Sequence, residues 1–268
     1  MNRITQTVRT LNARGEGAFM PFLVIGDPDF TTCLRITGEL VEAGADILEF
    51  GFPFSDPPAD GPVIQASDVR ALEAGMTPPR AFEFLDEVKR RYNKPVALLM
   101  YYNLILQYGE EAFYARAARA GVDAVLVADV PIEASASLVT AARAAGVAPI
   151  FIGSRLTSDD RLRQVAEVAE GYLYAVARVG ITGEQKAMDD TLATTLRRLK
   201  DAVDVPVLAG FGISSPAHVR TVLAAGADGV ICGSALVRRI GEHLGDEDAM
   251  ASSIGHLAAA LKGATMPN

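Results

Sequence analysis

The chain has 268 residues, half of them hydrophobic and 22% charged, with a formal net charge of −8 and a pI near 5.0. This composition excludes intrinsic disorder and collagen-like repeats, and an acidic balance without clustered Lys and Arg argues against nucleic acid as a partner. Two cysteines, Cys33 and Cys232, are too few to staple a fold of this length, and no apolar run reaches the ~18 residues of a membrane helix. The expectation is a cytoplasmic protein with no membrane segment.

Residues 1–16 have no apolar stretch of signal-peptide type and read as an extra N-terminal helix ahead of a first strand at 21–26. Strand and helix then alternate. Helix 31–43 leads into strand 45–52, helix 77–92 into strand 95–102, and helix 110–120 into strand 123–131. Helix 134–145 precedes strand 148–153, helix 158–170 precedes strand 171–178, and helix 190–202 precedes strand 206–212. Helix 216–225 precedes an eighth strand at 229–235, and 246–262 supplies the last helix. Four junctions repeat nearly one word: EAGADILEFG at 42–51, RAGVDAVLVA at 119–128, AAGVAPIFIG at 144–153 and AAGADGVICG at 224–233. Each reads as a helix end, a glycine free to turn left-handed (Gly44, Gly121, Gly146, Gly226), and an apolar strand. Apolar strands alternating with helices mean a parallel sheet covered on both faces. Eight units of about 33 residues fit a closed (β/α)8 TIM barrel better than an open sheet, so 1–268 is read as a single barrel domain.

In such a barrel, chemistry sits at the C-terminal ends of the strands. Glu49, two residues after Ile47 and two before Gly51, shares their side of the second strand. If that side faces inward, Glu49 is a carboxylate among apolar strands, where it needs a partner or a purpose such as proton transfer. A salt-bridged core glutamate, or the opposite parity, is the alternative. The loop PFSDPPADGPVIQ at 53–65 carries four prolines and two aspartates, and reads as stiffly held over the barrel mouth. Asp56 and Asp60 are each open to a turn-forming or a catalytic role. The stretch 177–189 reads as a closing lid or a plain surface loop. Glycine-rich turns at 209–216 and 232–237 suit a bound phosphate, with Ser214 or Ser215 capping a helix that opens on Pro216. Simple tight turns are the bland reading.

Missing parts narrow the chemistry. His218, His243 and His256 fall in helical patterns away from the strand ends, which disfavours a catalytic metal. Every lysine (Lys89, Lys94, Lys186, Lys200, Lys262) lies in a helix or loop, so no strand lysine offers a Schiff base. Neither cysteine neighbours a histidine, and Ser234 has no evident base. A phosphate-binding barrel that moves protons with Glu49, and with a loop aspartate, remains.

The stretch ILEFGFPFSDPPADGPVIQ at 47–65 resembles the signature of the tryptophan synthase alpha subunit family. PFLVIGDPD at 21–29, LLMYYNLI at 98–105, VLVADVPIEAS at 125–135, VGITG at 179–183, GFGIS at 210–214 and CGSALV at 232–237 follow in family order. The resemblance implies retro-aldol cleavage of indole-3-glycerol phosphate to indole and glyceraldehyde 3-phosphate, with no metal or cofactor in this chain. It makes Glu49 the acid/base at indole C3 and the glycerol hydroxyl, and Asp60 the acceptor from the indole N–H. It places Phe22, Leu99, Tyr101, Ala128, Ile152, Tyr174 and Phe211 around the indole. Thr182 belongs to the lid beside Asp129, and Gly183, Gly212, Gly233 and Ser234 hold phosphate. It further implies an αββα heterotetramer with a beta subunit that carries pyridoxal phosphate. Pro58 stands where the family usually has leucine, and Ala177 where serine is common, both positions that bear on docking and the lid. Two enzymes compete with this reading, a stand-alone lyase of the same substrate and a phosphosugar isomerase barrel, and a barrel kept only as an allosteric binding module is a third alternative.

Overall fold

The computed structural model describes residues 2–176, 185–210 and 212–267, with the backbone alone for 185–190. Strands β1 (Ala18–Val24), β2 (Leu48–Gly51), β3 (Val96–Met100) and β4 (Ala124–Val127) pair side by side in chain order. Strands β5 (Ala148–Gly153), β6 (Leu173–Val176), β7 (Val207–Gly210) and β8 (Gly229–Cys232) continue the series, and β1 closes on β8. Every ladder is parallel. The closed parallel barrel is the predicted architecture.

Most strands are shorter than their apolar runs; β4, β7 and β8 stop where the chain becomes half-buried or exposed, at 128–131, 212 and 233–235. β1 instead starts three residues before its predicted position. Pro21 reads as a strand boundary, yet it sits where the ladder to β8 ends (Pro21↔Cys232) and the ladder to β2 begins (Phe22↔Glu49). Its missing N–H falls at that changeover.

Helix α1 (Arg3–Asn12) precedes the barrel, and α2 (Phe30–Glu42), α3 (Pro62–Glu73), α4 (Pro78–Arg91), α5 (Tyr102–Tyr108) and α6 (Glu110–Arg119) cover its first half. Helices α7 (Ala136–Ala145), α8 (Asp159–Val168), α9 (Gln185–Ala202), α10 (Pro216–Ala224), α11 (Ser234–Glu242) and α12 (Glu247–Gly263) cover the second. Three of them, α3, α5 and α11, are absent from the sequence reading. α3 buries Ile64, Ser67, Asp68 and Ala71, a half-polar face without an apolar stripe to betray it. α5 is only seven residues long, and α11 begins where the predicted eighth strand overran.

Met20, Ile47, Ala97, Leu126, Ile150, Tyr172, Leu208 and Ile231 fill the barrel interior. α1 plugs the end from which the strands start. Ile4 and Val8 are fully buried in that interior cluster, each contributing about 1.5–3 kcal/mol by burial. The Thr5 hydroxyl donates to the Gly171 carbonyl at 2.7 Å, fastening α1 to the start of β6.

The repeated word has a structural reason. After α2, α6, α7 and α10, Gly44, Gly121, Gly146 and Gly226 take positive φ as predicted. In three of the words an aspartate follows. Asp46 accepts the Phe19 N–H at 2.8 Å, Asp123 the Val96 N–H at 2.9 Å and Asp228 the Val207 N–H at 2.8 Å. Each thereby satisfies the first free donor of the neighbouring strand. Each also faces a cation: Lys262 at 2.9 Å, Arg3 at 3.7 Å and Lys200 at 2.7 Å respectively.

Candidate active site

At the opposite end, β2 turns Glu49 inward, on the Ile47 side. Ile47 packs in the barrel interior, and Glu49 is 1% exposed. Its Oε1 accepts from the Tyr172 hydroxyl at 2.9 Å, while Oε2 is buried with no hydrogen-bond partner among the described residues. Burial pushes the Glu49 carboxyl up to about 7, with the Tyr172 hydrogen bond pulling in the other direction. Among the described residues no cation offsets the burial, unlike the aspartates at the other end.

The loop after β2 separates its two aspartates. Asp56 is exposed, its carboxylate accepting from the adjacent Ser55 hydroxyl. Asp60 is half-buried and accepts from the Tyr101 hydroxyl at 2.7 Å, at the end of β3, while the Ala59 N–H donates to that hydroxyl at 3.3 Å. Burial raises the Asp60 carboxyl and the Tyr101 bond lowers it. Phe54 stacks on the Tyr101 ring with centroids 5.3 Å apart. The stiffness read into the prolines therefore has specific anchors. The loop ends sooner than predicted, since Pro62 opens α3.

Tyr174 feels the charge of both carboxylates. Its hydroxyl is held far above the ordinary tyrosine range, first by burial and then by the charges of both Glu49 and Asp60. The Tyr174 hydroxyl lies over Gly210, where any Cβ would collide with it. Phe22 lies between Gly51 and Gly233, whose added Cβ atoms would come within 2.8 Å and 3.1 Å of the ring. Those glycines leave room for an aromatic lining. Leu99 packs against both the interior and the outer core. Ala128, like Leu99 and Tyr174, packs against the barrel interior, Ile152 pairs in register with Tyr174, and both line a cavity of about 360 Å³ at the ends of β4 and β5 together with Leu126, Ile150 and Asp129. Asp129 accepts from the first N–H of α5, at Tyr102, at 2.8 Å.

The glycine-rich turns come together at the ends of β7 and β8. Gly212 takes φ +86°, and its carbonyl lies 3.0 Å from the His218 Nδ1. Ser215 caps α10, accepting from the His218 N–H at 3.3 Å, with Pro216 at the first position as expected. Gly233 stands at the N-cap of α11 with no side-chain cap, and Ser234 follows, exposed. An uncapped helix start with its dipole positive outward favours an anion. Thr182, Gly183, Phe211 and Ala177 lie outside the described residues, as does the centre of the proposed lid.

Cys33 and Cys232 are buried and free, their thiols pushed up to about 12 by burial. Neither is poised as a nucleophile. His218 and His256 lie on α10 and α12, whereas His243 is the residue that ends α11.

Sequence reasoning missed Tyr172. The signal was present: in GYLYAV, Tyr172 and Tyr174 share one face by period two, so placing Tyr174 in the site puts Tyr172 one layer deeper, beside Glu49.

A family model described as tryptophan synthase alpha chain matches residues 8–266. The tryptophan synthase alpha chain of Shewanella amazonensis is 48% identical, over 99% of this chain and 100% of its own length. The crystal structure of tryptophan synthase subunit alpha from Legionella pneumophila superposes with a TM-score of 0.91 at 32% identity, covering 99% of this chain and 98% of that one. A chain in the tryptophan synthase α2β2 complex of Pyrococcus furiosus superposes with a TM-score of 0.82 at 35% identity, covering 92% and 98%.

Proposed function

The chain belongs to the tryptophan synthase alpha chain family, whose reaction is the cleavage of indole-3-glycerol phosphate, and we propose that Glu49 and Asp60 divide that chemistry between them. The substrate bond breaks when indole C3 gains a proton and the adjacent glycerol hydroxyl loses one. The electron pair of the breaking carbon–carbon bond returns to the indole ring as the hydroxyl carbon becomes the aldehyde of glyceraldehyde 3-phosphate. Protonation at C3 leaves positive charge on the ring, spread to the indole nitrogen. A carboxylate accepting from the N–H stabilises that charge, which is the part of Asp60, held at its loop position by Tyr101.

Glu49 carries the proposal. A carboxyl with an affinity near pH 7, one oxygen held by Tyr172 and the other without a partner among the described residues, can give a proton and take one back at the pH of the cell. Phe22, Leu99, Tyr101 and Tyr174 form the aromatic and apolar wall a flat bicyclic ring requires, with Ala128 and Ile152 extending it towards β4 and β5. The Gly212 turn, Gly233 and Ser234 meet the phosphate through amides and a hydroxyl, which lets an acidic protein hold an anion. Tight binding there fixes the reacting carbon against the carboxylates.

The partner is the beta subunit, and the assembly is the αββα heterotetramer; the Pyrococcus relative is described in such a complex. Pyridoxal phosphate belongs to that partner, and the alpha chain itself works without a cofactor. The compartment is the cytoplasm. No helix among the described residues is long and apolar enough to cross a membrane. One barrel domain, 1–268, carries the whole site.

The test is indole release from indole-3-glycerol phosphate by the purified chain with and without a beta subunit. Slow release alone, rising strongly with the partner, is expected. Fast, partner-independent release makes the protein a stand-alone lyase. An absence of release in both, together with indifference to indole-propanol phosphate in a binding titration, overturns the lyase reading in favour of a phosphosugar barrel.

A further inference from the structure

Asp68 is a buried carboxylate that the reaction does not use directly. It lies on α3, is 4% exposed, and its Oδ2 has no hydrogen-bond partner among the described residues. Its Oδ1 accepts from the Phe54 N–H at 3.4 Å, in the loop that carries Asp60. On the same helix, Arg70 is occupied elsewhere: its Nε and Nη2 both reach the fully buried Asp27 at 2.7 Å, and the Ser67 hydroxyl donates to Asp27 as well. The cation nearest in sequence is therefore taken, and Asp68 is left with a single backbone donor.

A side chain in that state costs stability, so its position calls for an account. The contacts supply one. The Phe54 amide is held by Asp68, the Phe54 ring stacks on Tyr101, and Tyr101 donates to Asp60. We propose that Asp68 is a positioning residue for Asp60, acting through the Phe54 amide and the Phe54–Tyr101 stack to hold the loop carboxylate at the geometry that meets the indole N–H. This inference rests on the role assigned to Asp60 above.

The groups that bear on Asp68 electrostatically are Asp60 on the loop and Asp27 at the end of β1; Tyr101 at the end of β3 in turn feels its charge. Burial first, and then the charges of Asp60 and Asp27, push the Asp68 carboxyl up to about 7. The two carboxylates therefore feel each other, and Asp68→Asn, which removes that charge but keeps the acceptor for the Phe54 N–H, separates a charge effect from the hydrogen-bonded path.

Three variants of the full chain, assayed with a beta subunit, test this. Asp68→Ala is expected to lower kcat for indole release about tenfold while KM changes less than about twofold, because only the placement of a transition-state partner is lost. Asp68→Asn, which keeps the acceptor for the Phe54 N–H, restores activity to within about threefold of the unaltered chain. Adding Tyr101→Phe to Asp68→Ala costs less than about twofold beyond Tyr101→Phe alone, since both break one chain of contacts. Additive losses, or equal losses in the Asp68→Ala and Asp68→Asn variants, overturn the proposal.

A second readout needs no substrate. Carbon-13 NMR of the Asp60 carboxyl, assigned by its disappearance in Asp60→Asn, follows its titration in the free chain. Losing the Tyr101 donation raises the Asp60 titration midpoint, so Asp68→Ala moves it up and Asp68→Asn leaves it in place. A downward shift shared by both variants marks a charge effect, and no shift in either marks a merely structural residue; each overturns the proposal. If Asp60→Asn retains full indole release while the titration responds as expected, the role of Asp60 fails and the positioning by Asp68 stands.

Discussion

The two ends of the barrel treat the same functional group in opposite ways. Where the strands start, Asp46, Asp123 and Asp228 each have a backbone N–H within 2.9 Å and a lysine or arginine within 3.7 Å. Where the strands end, Glu49 and Asp68 each keep one buried oxygen without a hydrogen-bond partner among the described residues, and neither forms an ion pair with any of them. A satisfied carboxylate is a structural cement, and an unsatisfied one is a reagent or a tuned support. Asp27 shows that the mouth is able to pair an acid fully when it needs to, through Arg70 and Ser67. The unpaired state of Glu49 is therefore selective, and the fold retains it at a cost in stability.

The largest expected effect comes from removing the charge at the mouth. Glu49→Gln is predicted to cut indole release by about a thousandfold or more, the loss of the acid/base group itself. Stability should move the other way. In the folded chain Glu49 holds its proton up to about pH 7, against 4.5 for a free carboxyl, so the native state binds the proton more tightly than the unfolded one. The Glu49 contribution therefore falls as pH rises from 4.5 towards 7, by about 3 kcal/mol, and stays low above that window. Urea unfolding at pH 8 should find the Gln variant more stable than the unaltered chain, and at pH 4 nearly equal. A variant less stable at pH 8 would break the contrast between the two ends, since Glu49 would then be held as firmly as Asp46.

That contrast was only half legible in the residues. The eightfold alternation, the positive-φ glycines and the inward parity of Glu49 follow from periods of two and 3.6 and from Ala-Gly punctuation, which are local signals. The interstrand role of Asp46, Asp123 and Asp228 was visible only as a repeated letter, because its partner N–H groups lie 21 to 27 residues away in sequence. The distinction between Asp56 and Asp60 needed the fold: both neighbour proline or glycine, and only Tyr101, 41 residues on, selects Asp60. Helix α3 escaped because a helix that buries Ser67 and Asp68 looks like a loop to any apolar periodicity. Its polar face is the surface that supports the site, so the failure of pattern reading there marked function.

At the cemented end, Lys262→Met should strand Asp46 with only the Phe19 N–H. The pair is nearly buried, with side chains 9% and 13% exposed. The predicted loss is about 2 kcal/mol in urea unfolding, short of a fully buried pair because some solvent reaches it. The kcat for indole release should stay within about twofold, as Lys262 lies at the far end of the barrel from Glu49. A loss of activity without a loss of stability would show that the two ends are coupled, and the division of labour drawn above would fail.

The smallest effect sharpens the comparison from within the site. Tyr172 is the one described partner that Glu49 has, and its donation lowers the proton affinity that burial raises. Tyr172→Phe removes the donor while keeping the ring in the barrel interior. Glu49 then loses its last stabilisation of the charged form, so its titration should move above 7, by about one unit. The limb of the pH–rate profile that reports Glu49 should shift upward with it, while the KM for the substrate holds, because Tyr172 is fully buried one layer beneath the mouth. A limb that stays in place would mean that Glu49 leaves the Tyr172 hydroxyl before it reacts. The carboxylate would then work from a second orientation, with both oxygens turned towards the ligand and the hydroxyl serving only its resting state.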